Sequence, residues 1–521
     1  MGTALVGVSA EATTELGALR AELRQIGRGL VDGVWSLAPT QRRRAAWLLA
    51  GLTALRLYFS LFNPEYDDAV SYEVFVSKGL LVTSAYYPIP NNHVLSNAIS
   101  LLFYQISPAF WWSMRLPVLI ISTVATIFLF AATLRRTSYL IALVGTGLFS
   151  LLQLSLYHAG VGRGYWLLIG LAGIVFFSMM ELLAARGRRR AAWAGLAVAG
   201  VLGCYTIPTF VYVLASAFSW LGLAFLPRAQ WPRLRRLVGV AVLIGWATAL
   251  LYAPLLLVSG LRIFARNGYV ETLAPAVFWP NLPVYLWHNE GFLAGQRSVG
   301  ALVTLTVLPL VGYLFYLARA GRLPAPQAQR LRTVGLPALW FVGLPYAALF
   351  VQRVFPPERV LLYKAFFFFV LVGMVVDWVM WRWPAPTHRW PRRALTTLAG
   401  LFALYQTFTV VRVNPTARST NASYRAGLLW LAARPPGPVL VPEPTHNLFF
   451  RFYAHTQARQ RPWRIDNEQR PGRRYDYVVA FPNKRGFFQP RFTFAPAYHD
   501  ENVEIYTVPP GFPLETAPWR H

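Results

Sequence analysis

Apolar windows of about 18–25 residues recur along this chain, the length needed for a helix to cross the hydrocarbon core of a bilayer. They fall at roughly 45–62, 112–134, 138–158, 164–184, 191–206, 208–226, 237–258, 299–318, 333–351, 360–380 and 394–412. Such a segment must satisfy its backbone polar groups internally when it sits in lipid, so it can only be helical. The windows therefore predict a mainly α-helical, polytopic membrane bundle of about eleven transmembrane helices. Composition agrees: 55% of residues are hydrophobic and 13% are charged, against about 25% charged in soluble domains. Intrinsic disorder and an ordinary soluble domain are excluded on the same ground. A single cysteine excludes an internal disulfide and a cysteine-cluster metal site. No basic start leads directly into an apolar core with a small-residue cleavage site, so no cleavable signal peptide is expected. Residues 11–30 read instead as an amphipathic helix.

The formal net charge is +28, from 49 basic and 21 acidic residues. Its distribution decides its meaning. Arg42–Arg44, Arg135 and Arg136, Arg186 to Arg190, Arg228 to Arg236, Arg319 to Arg332, and Arg382 to Arg393 fall in alternate loops. The intervening long loop 63–111 holds Glu65, Asp67, Asp68 and Glu73 and, before Met114, no base except Lys78. This alternation follows the positive-inside rule and predicts a cytoplasmic N-terminus and an extracytoplasmic C-terminus. Charge scattered over short loops is not a nucleic-acid footprint, so no nucleic-acid partner is expected.

Three parts follow: a cytoplasmic segment 1–44, a transmembrane domain 45–412 with the extracytoplasmic loop 63–111, and an extracytoplasmic domain 413–521. Within the loop, Ser71 to Val82 reads as an amphipathic surface helix. The last part is polar and Pro-rich, with strand-like runs at 475–481 and 503–508, and reads as a small α/β or mostly β domain.

Asp67 and Asp68 follow the first window directly. A partly desolvated carboxylate at a membrane border can have a raised pKa and act as a base; equally, an Asp before Ala69–Val70 suits a helix cap. Asn91, Asn92 and His93 share the loop with this pair. Arg115, Arg163 (between Gly162 and Gly164), Arg353, Arg359 and Lys364 lie near the outer ends of spans, against the general trend. Arginine's fork matches phosphate well, whereas a lone cation can also snorkel to lipid headgroups.

With these motifs in this order, the chain resembles the GT-C superfamily of polytopic glycosyltransferases, near the protein-mannosyltransferase and aminoarabinose-transferase branch. The resemblance covers about residues 45–415. It rests on Asp67–Asp68, Asn91–Asn92–His93, Arg115–Leu116–Pro117, Arg163–Gly164–Tyr165 and Glu358–Arg359. It implies that Asp67, with Asp68 beside it, is the catalytic carboxylate. It implies that Arg163 and Arg359, joined by Arg115 and Lys364, grip a donor phosphate. Asn92, His93, Tyr165 and Glu358 would line the substrate site. Some relatives carry another acidic residue near 158–163; this chain has His158 and Arg163 there. No metal ligand is assigned, and a divalent cation stays open as a cofactor.

The implied activity moves a monosaccharide from a polyprenyl-phosphate donor to an extracytoplasmic lipid, glycan or protein acceptor, with inversion. The setting would be a bacterial inner membrane, with membrane lipids as partners. Two rivals remain. A lipid-linked glycan transporter or flippase would need ionisable groups at mid-membrane. A structural membrane protein would bind cell-wall polymer through its C-terminal domain.

Overall fold

The computed structural model describes residues 2–88, 92–184, 189–261, 271–383, 389–482, 488–489, 494–512 and 514–516. Pro90 and Asn91 of the loop motif, and Arg186 and Arg188 of the basic loops, lie outside the described residues. Among the described residues, eight helices are long and apolar enough to span a membrane, from Trp111–Arg136 to Arg392–Arg412. The pair Tyr139–Leu151 and Gln153–Gly160, bent by 66°, makes a ninth if counted as one span. The protein is a multi-pass membrane protein.

The eleven windows are all helical, but two fall short of that standard. Pro39–Ser60 opens on Arg42–Arg44 and also carries Arg56, and Arg189–Thr206 is only 18 residues long and opens on two arginines. Arg56 is 1% exposed, stacked 4.2 Å over the Trp166 ring and donating to the Ser122 carbonyl at 2.9 Å. The most buried span, Glu358–Arg382, packs Phe366–Phe369 into the bundle core against Phe149, Phe176 and Phe341.

Two boundaries differ from the sequence reading. The expected surface helix Ser71–Val82 is broken into a wide turn Ser71–Phe75, a tight turn Val76–Lys78 and a helix Leu80–Ala85. Gly79 at φ 89° makes the break, a conformation that glycine adopts without steric cost. The boundary at 412 falls inside one continuous helix, Arg389–Ala432, which runs from the span into the C-terminal domain.

That domain is α/β. Its five-stranded mixed sheet runs in the order Ile465–Asp466, Val439–Leu440, Tyr477–Ala480, Glu504–Thr507, Tyr498–His499. The two runs read as strands pair antiparallel, with Val478 opposite Tyr506 and Val479 opposite Ile505. Helix Pro444–Gln457 covers one face and carries the domain onto the loop after Pro39–Ser60. Phe449, Phe452 and Tyr453 share a core with Ala69, Tyr72 and Met114. Glu73, 5% exposed, meets Lys78 at 3.1 Å, His455 at 3.1 Å and Arg451 at 3.4 Å. Burial alone would raise its carboxyl, but these basic neighbours outweigh burial and hold it below the usual range. The C-terminal domain thus fixes the segment next to the acidic pair.

Candidate active site

The acidic pair sits on the short helix Tyr66–Val70, and its two members face different surroundings. Asp68 is fully buried. Its Oδ2 accepts the Glu65 backbone N–H at 3.2 Å and forms a close ion pair with Arg115, while Oδ1 accepts the Gly162 N–H at 2.5 Å. Arg115, 2% exposed, also donates to the Ser60 and Asn63 carbonyls. Asp67 lies one residue earlier with a third of its side chain open, and its Oδ2 is 3.9 Å from Arg163 Nε.

Arg163 arrives from the turn after the bent helix Gln153–Gly160. The bend at Leu152 aims that helix inward, and the Gln153 N–H exposed there is taken by the Gln406 side chain at 2.9 Å. The turn needs its glycines because other groups crowd it. A Cβ at Gly162 would stand 3.2 Å from Asp68 Oδ1, and one at Gly164 would stand 2.8 Å from Thr206 Cγ2. Arg163 is 3% exposed, donates from Nη1 to Ser71 Oγ at 3.2 Å, and places Nη2 3.1 Å from His93 Nε2. His93 Nδ1 accepts the Gly164 N–H at 3.1 Å. Burial, and then the charges of Arg163, His158 and Arg359, hold His93 well below the usual imidazole range, so it is neutral at pH 7.

Tyr165 opens the next helix. Its ring lies between His93, centroids 4.9 Å apart, and His158, 4.2 Å apart. Arg359, on the turn Glu358–Leu361, is close enough for its charge to act on His93, His158 and Tyr165. The structure therefore gathers Asp67, Arg163, His93, Tyr165 and Arg359 about one spot, from four separate stretches of sequence.

The remaining expected residues stand back from that spot. Asn92 donates to the Thr83 and Tyr86 carbonyls and accepts from Asn97, which fixes the loop just before His93. Glu358 faces Tyr285 electrostatically. Lys364, 1% exposed, is bound by Glu290 and by the Tyr346 hydroxyl at 2.7 Å. Among the described residues no group of three or more His, Cys, Asp or Glu could hold a metal ion.

No family model and no curated protein matches the sequence. Solved structures do match. ArnT from Cupriavidus metallidurans bound to undecaprenyl phosphate superposes with a TM-score of 0.59 at 15% identity, covering 90% of this chain and 98% of that one. Its apo form gives 0.59 at 14% identity, covering 88% and 97%. The chain has the GT-C fold. An oligosaccharyltransferase from Archaeoglobus fulgidus also matches, at a TM-score of 0.44 and 13% identity over 80% of this chain and 62% of that one.

On this GT-C scaffold the sequence reading passed over two groups beside the acidic pair. Ser71, which accepts from Arg163, gives no signal in sequence. Glu65 does: it stands two residues before Asp67 in a segment leaving the membrane. Burial, followed by the negative charge of Asp68, raises its carboxyl to about 7. The folded state then keeps a proton on Glu65 between about pH 4.5 and 7 while the unfolded chain has lost it. Because the folded state binds more protons in that window, stability falls as pH rises through it. Glu65→Gln is expected to flatten that fall by on the order of 2 kcal/mol. Thermal midpoints of wild type and variant at pH 5 and pH 8 check it; parallel shifts in the two proteins would exclude Glu65 as the group.

Proposed function

We propose that this protein is an integral membrane glycosyltransferase that transfers a monosaccharide from a polyprenyl-phosphate donor to an acceptor at the extracytoplasmic face. One observation carries the reading: a partly open carboxylate, Asp67, stands 3.9 Å from a buried arginine, Arg163. A base next to a phosphate-sized cation site is what such a transfer needs. Asp67 accepts the proton of the acceptor hydroxyl or amine as its lone pair attacks the anomeric carbon. The bond from that carbon to the phosphate oxygen breaks with its electron pair, and the lipid phosphate leaves from the opposite side, so the anomeric configuration inverts. Arg163 and Arg359 stabilise the charge that grows on the departing phosphate, where fixed donors count most. Asp68 and Arg115 act as the buried brace beneath the base. Lys364, closed off by Glu290, holds its helix in place.

The solved ArnT structure with undecaprenyl phosphate supports a polyprenyl lipid as the partner. The arginine-rich alternate loops support a cytoplasmic N-terminus and an extracytoplasmic C-terminus, in a bacterial inner membrane. A single experiment tests chemistry and side together. Sealed right-side-out and inverted vesicles containing the protein receive a short-chain, water-soluble polyprenyl-phosphate sugar with a labelled sugar. Donor consumption in right-side-out vesicles alone is expected. Movement of donor without consumption would leave a flippase, and consumption only in inverted vesicles would reverse the topology.

A further inference from the structure

The last span stands off from the bundle. Its apolar stretch, within Arg392–Arg412, is only 11% buried, against 78% in Glu358–Arg382. Its later residues are docked: Gln406 accepts the Gln153 N–H, and Val410 packs with Phe59 and Leu156. Nearer Arg392 a groove of about 830 Å³ opens between it and the helices Pro39–Ser60, Tyr139–Leu151, Ser298–Arg319 and Leu362–Arg382. The walls are apolar, with Leu148, Val303, Val372 and Leu398 among them, and Arg44 is the only charged residue in the lining among the described residues. Such walls offer water no partners, and left empty they forfeit dispersion contacts. The groove therefore fits an apolar chain.

One end of the groove is cationic. Arg44 lines it together with Leu48, one turn on in the same helix. Arg392 stands on the helix face of Leu395, Thr396 and Ala399, which also line it. Two helices thus each bring an arginine to one mouth. Arg392 Nε is buried and has no hydrogen-bond partner among the described residues. Trp47 and Trp390, close to these arginines in sequence, are 78% and 79% exposed, and exposed tryptophan marks the headgroup zone of a bilayer. Along Tyr139–Leu151 the lining runs from Leu140 to Leu151, about 16 Å of helix at about 1.5 Å per residue. That is half of a hydrocarbon core about 30 Å thick, so the groove is one leaflet deep. A polyprenyl chain is longer than a leaflet. Asp67 follows the far end of Pro39–Ser60, so a headgroup at Arg44 is separate from the candidate active site.

We infer that this groove holds one acidic phospholipid from the leaflet on the arginine-rich side. Its phosphate takes Arg44 and Arg392, and one acyl chain lies along Leu140 to Leu151. Arginine's fork suits a phosphate, and a headgroup of net negative charge is drawn to basic residues at the membrane border. A zwitterionic phospholipid carries its own ammonium beside the phosphate and meets the same two cations less favourably. The site stands apart from the transfer reaction and its residues. Its structural consequence comes through Arg389–Ala432, which continues from this span into the C-terminal domain: a lipid seated beside the start of that helix steadies the whole rod.

The test uses the full-length protein, stripped of co-purified lipid in detergent, with phosphatidylglycerol, phosphatidylethanolamine and undecaprenyl phosphate as probes in native mass spectrometry. One phosphatidylglycerol is expected to bind per chain, about tenfold more tightly than phosphatidylethanolamine, and to raise the melting temperature. Arg44→Gln and Arg392→Gln should each weaken it about tenfold, the size of one lost hydrogen bond to a charged group. Arg44→Lys, which keeps the charge, should recover part of that loss and guard against simple misfolding. Ala399→Trp fills the groove and should abolish binding with both arginines in place. Equal binding of the two phospholipids, or undiminished phosphatidylglycerol binding in Ala399→Trp, overturns the inference. Undecaprenyl phosphate that displaces phosphatidylglycerol and is itself blocked by Ala399→Trp would give the groove to a polyprenyl chain. A lipid-free dimer that Ala399→Trp disperses would give it to a second copy. Either result overturns the inference as well.

Discussion

Replacing Asp67 with asparagine is expected to lower sugar transfer by about a hundred- to ten-thousandfold, the usual cost of removing a positioned general base, while the protein stays folded. The surroundings of the pair explain why the loss should fall on this residue. Asp68 spends its carboxylate on Arg115 and on two backbone N–H groups and is fully buried, so no acceptor can approach it. Asp67 keeps a third of its side chain open beside Arg163. Asparagine is nearly the same size and still accepts a hydrogen bond, but it takes no proton. Initial rates with labelled donor, measured beside Asp68→Asn, check the assignment. Near-normal turnover in Asp67→Asn would move the base to Glu65, whose carboxyl, raised to about 7, is matched to proton transfer near neutral pH.

The spans were legible because hydropathy is a local signal and the bilayer sets its length. The strands at 477–480 and 504–507 were legible for a similar reason: alternating β-branched and aromatic residues bounded by turns mark them without reference to partners. Gly162–Arg163–Gly164 was legible as a place of close approach, since glycine removes the Cβ that Asp68 and Thr206 would meet. What sequence could not give was partnership across distance. The cap and base readings of Asp67–Asp68 looked alternative, yet the structure gives the two neighbours different surroundings: Asp68 accepts at the helix start and pairs with Arg115, 47 residues away, while Asp67 stays partly open. Lys364 read as a phosphate cation because Glu290, 74 residues earlier, gives no hint of pairing with it. The same holds for the C-terminal domain. Its Phe452 ring lies 5.4 Å from Tyr72, a contact that ties the domain to the acidic loop and that no periodicity announces. The continuous helix Arg389–Ala432 hides the boundary because helix propensity does not stop where the lipid does.

The brace under the base should be felt most when half of it is removed. Arg115→Ala leaves the Asp68 carboxylate at zero exposure with only backbone donors, and an uncompensated buried charge typically costs about 3–5 kcal/mol. A loss of that size approaches the whole stability of many domains, so the variant is expected to aggregate or to melt far below wild type in detergent. Removing both charges should be milder. In Arg115→Met with Asp68→Asn, the methionine refills the volume, and the asparagine oxygen still accepts the Gly162 N–H. The double variant is therefore expected to recover much of the lost melting temperature, the non-additive result that a coupled pair gives. Donor use separates this role from phosphate binding. If Arg115 gripped the lipid phosphate, Arg115→Ala would fold normally and bind undecaprenyl phosphate poorly, and the double variant would bind no better. If it braces Asp68, the double variant regains its fold, and with it the position of Asp67 beside Arg163.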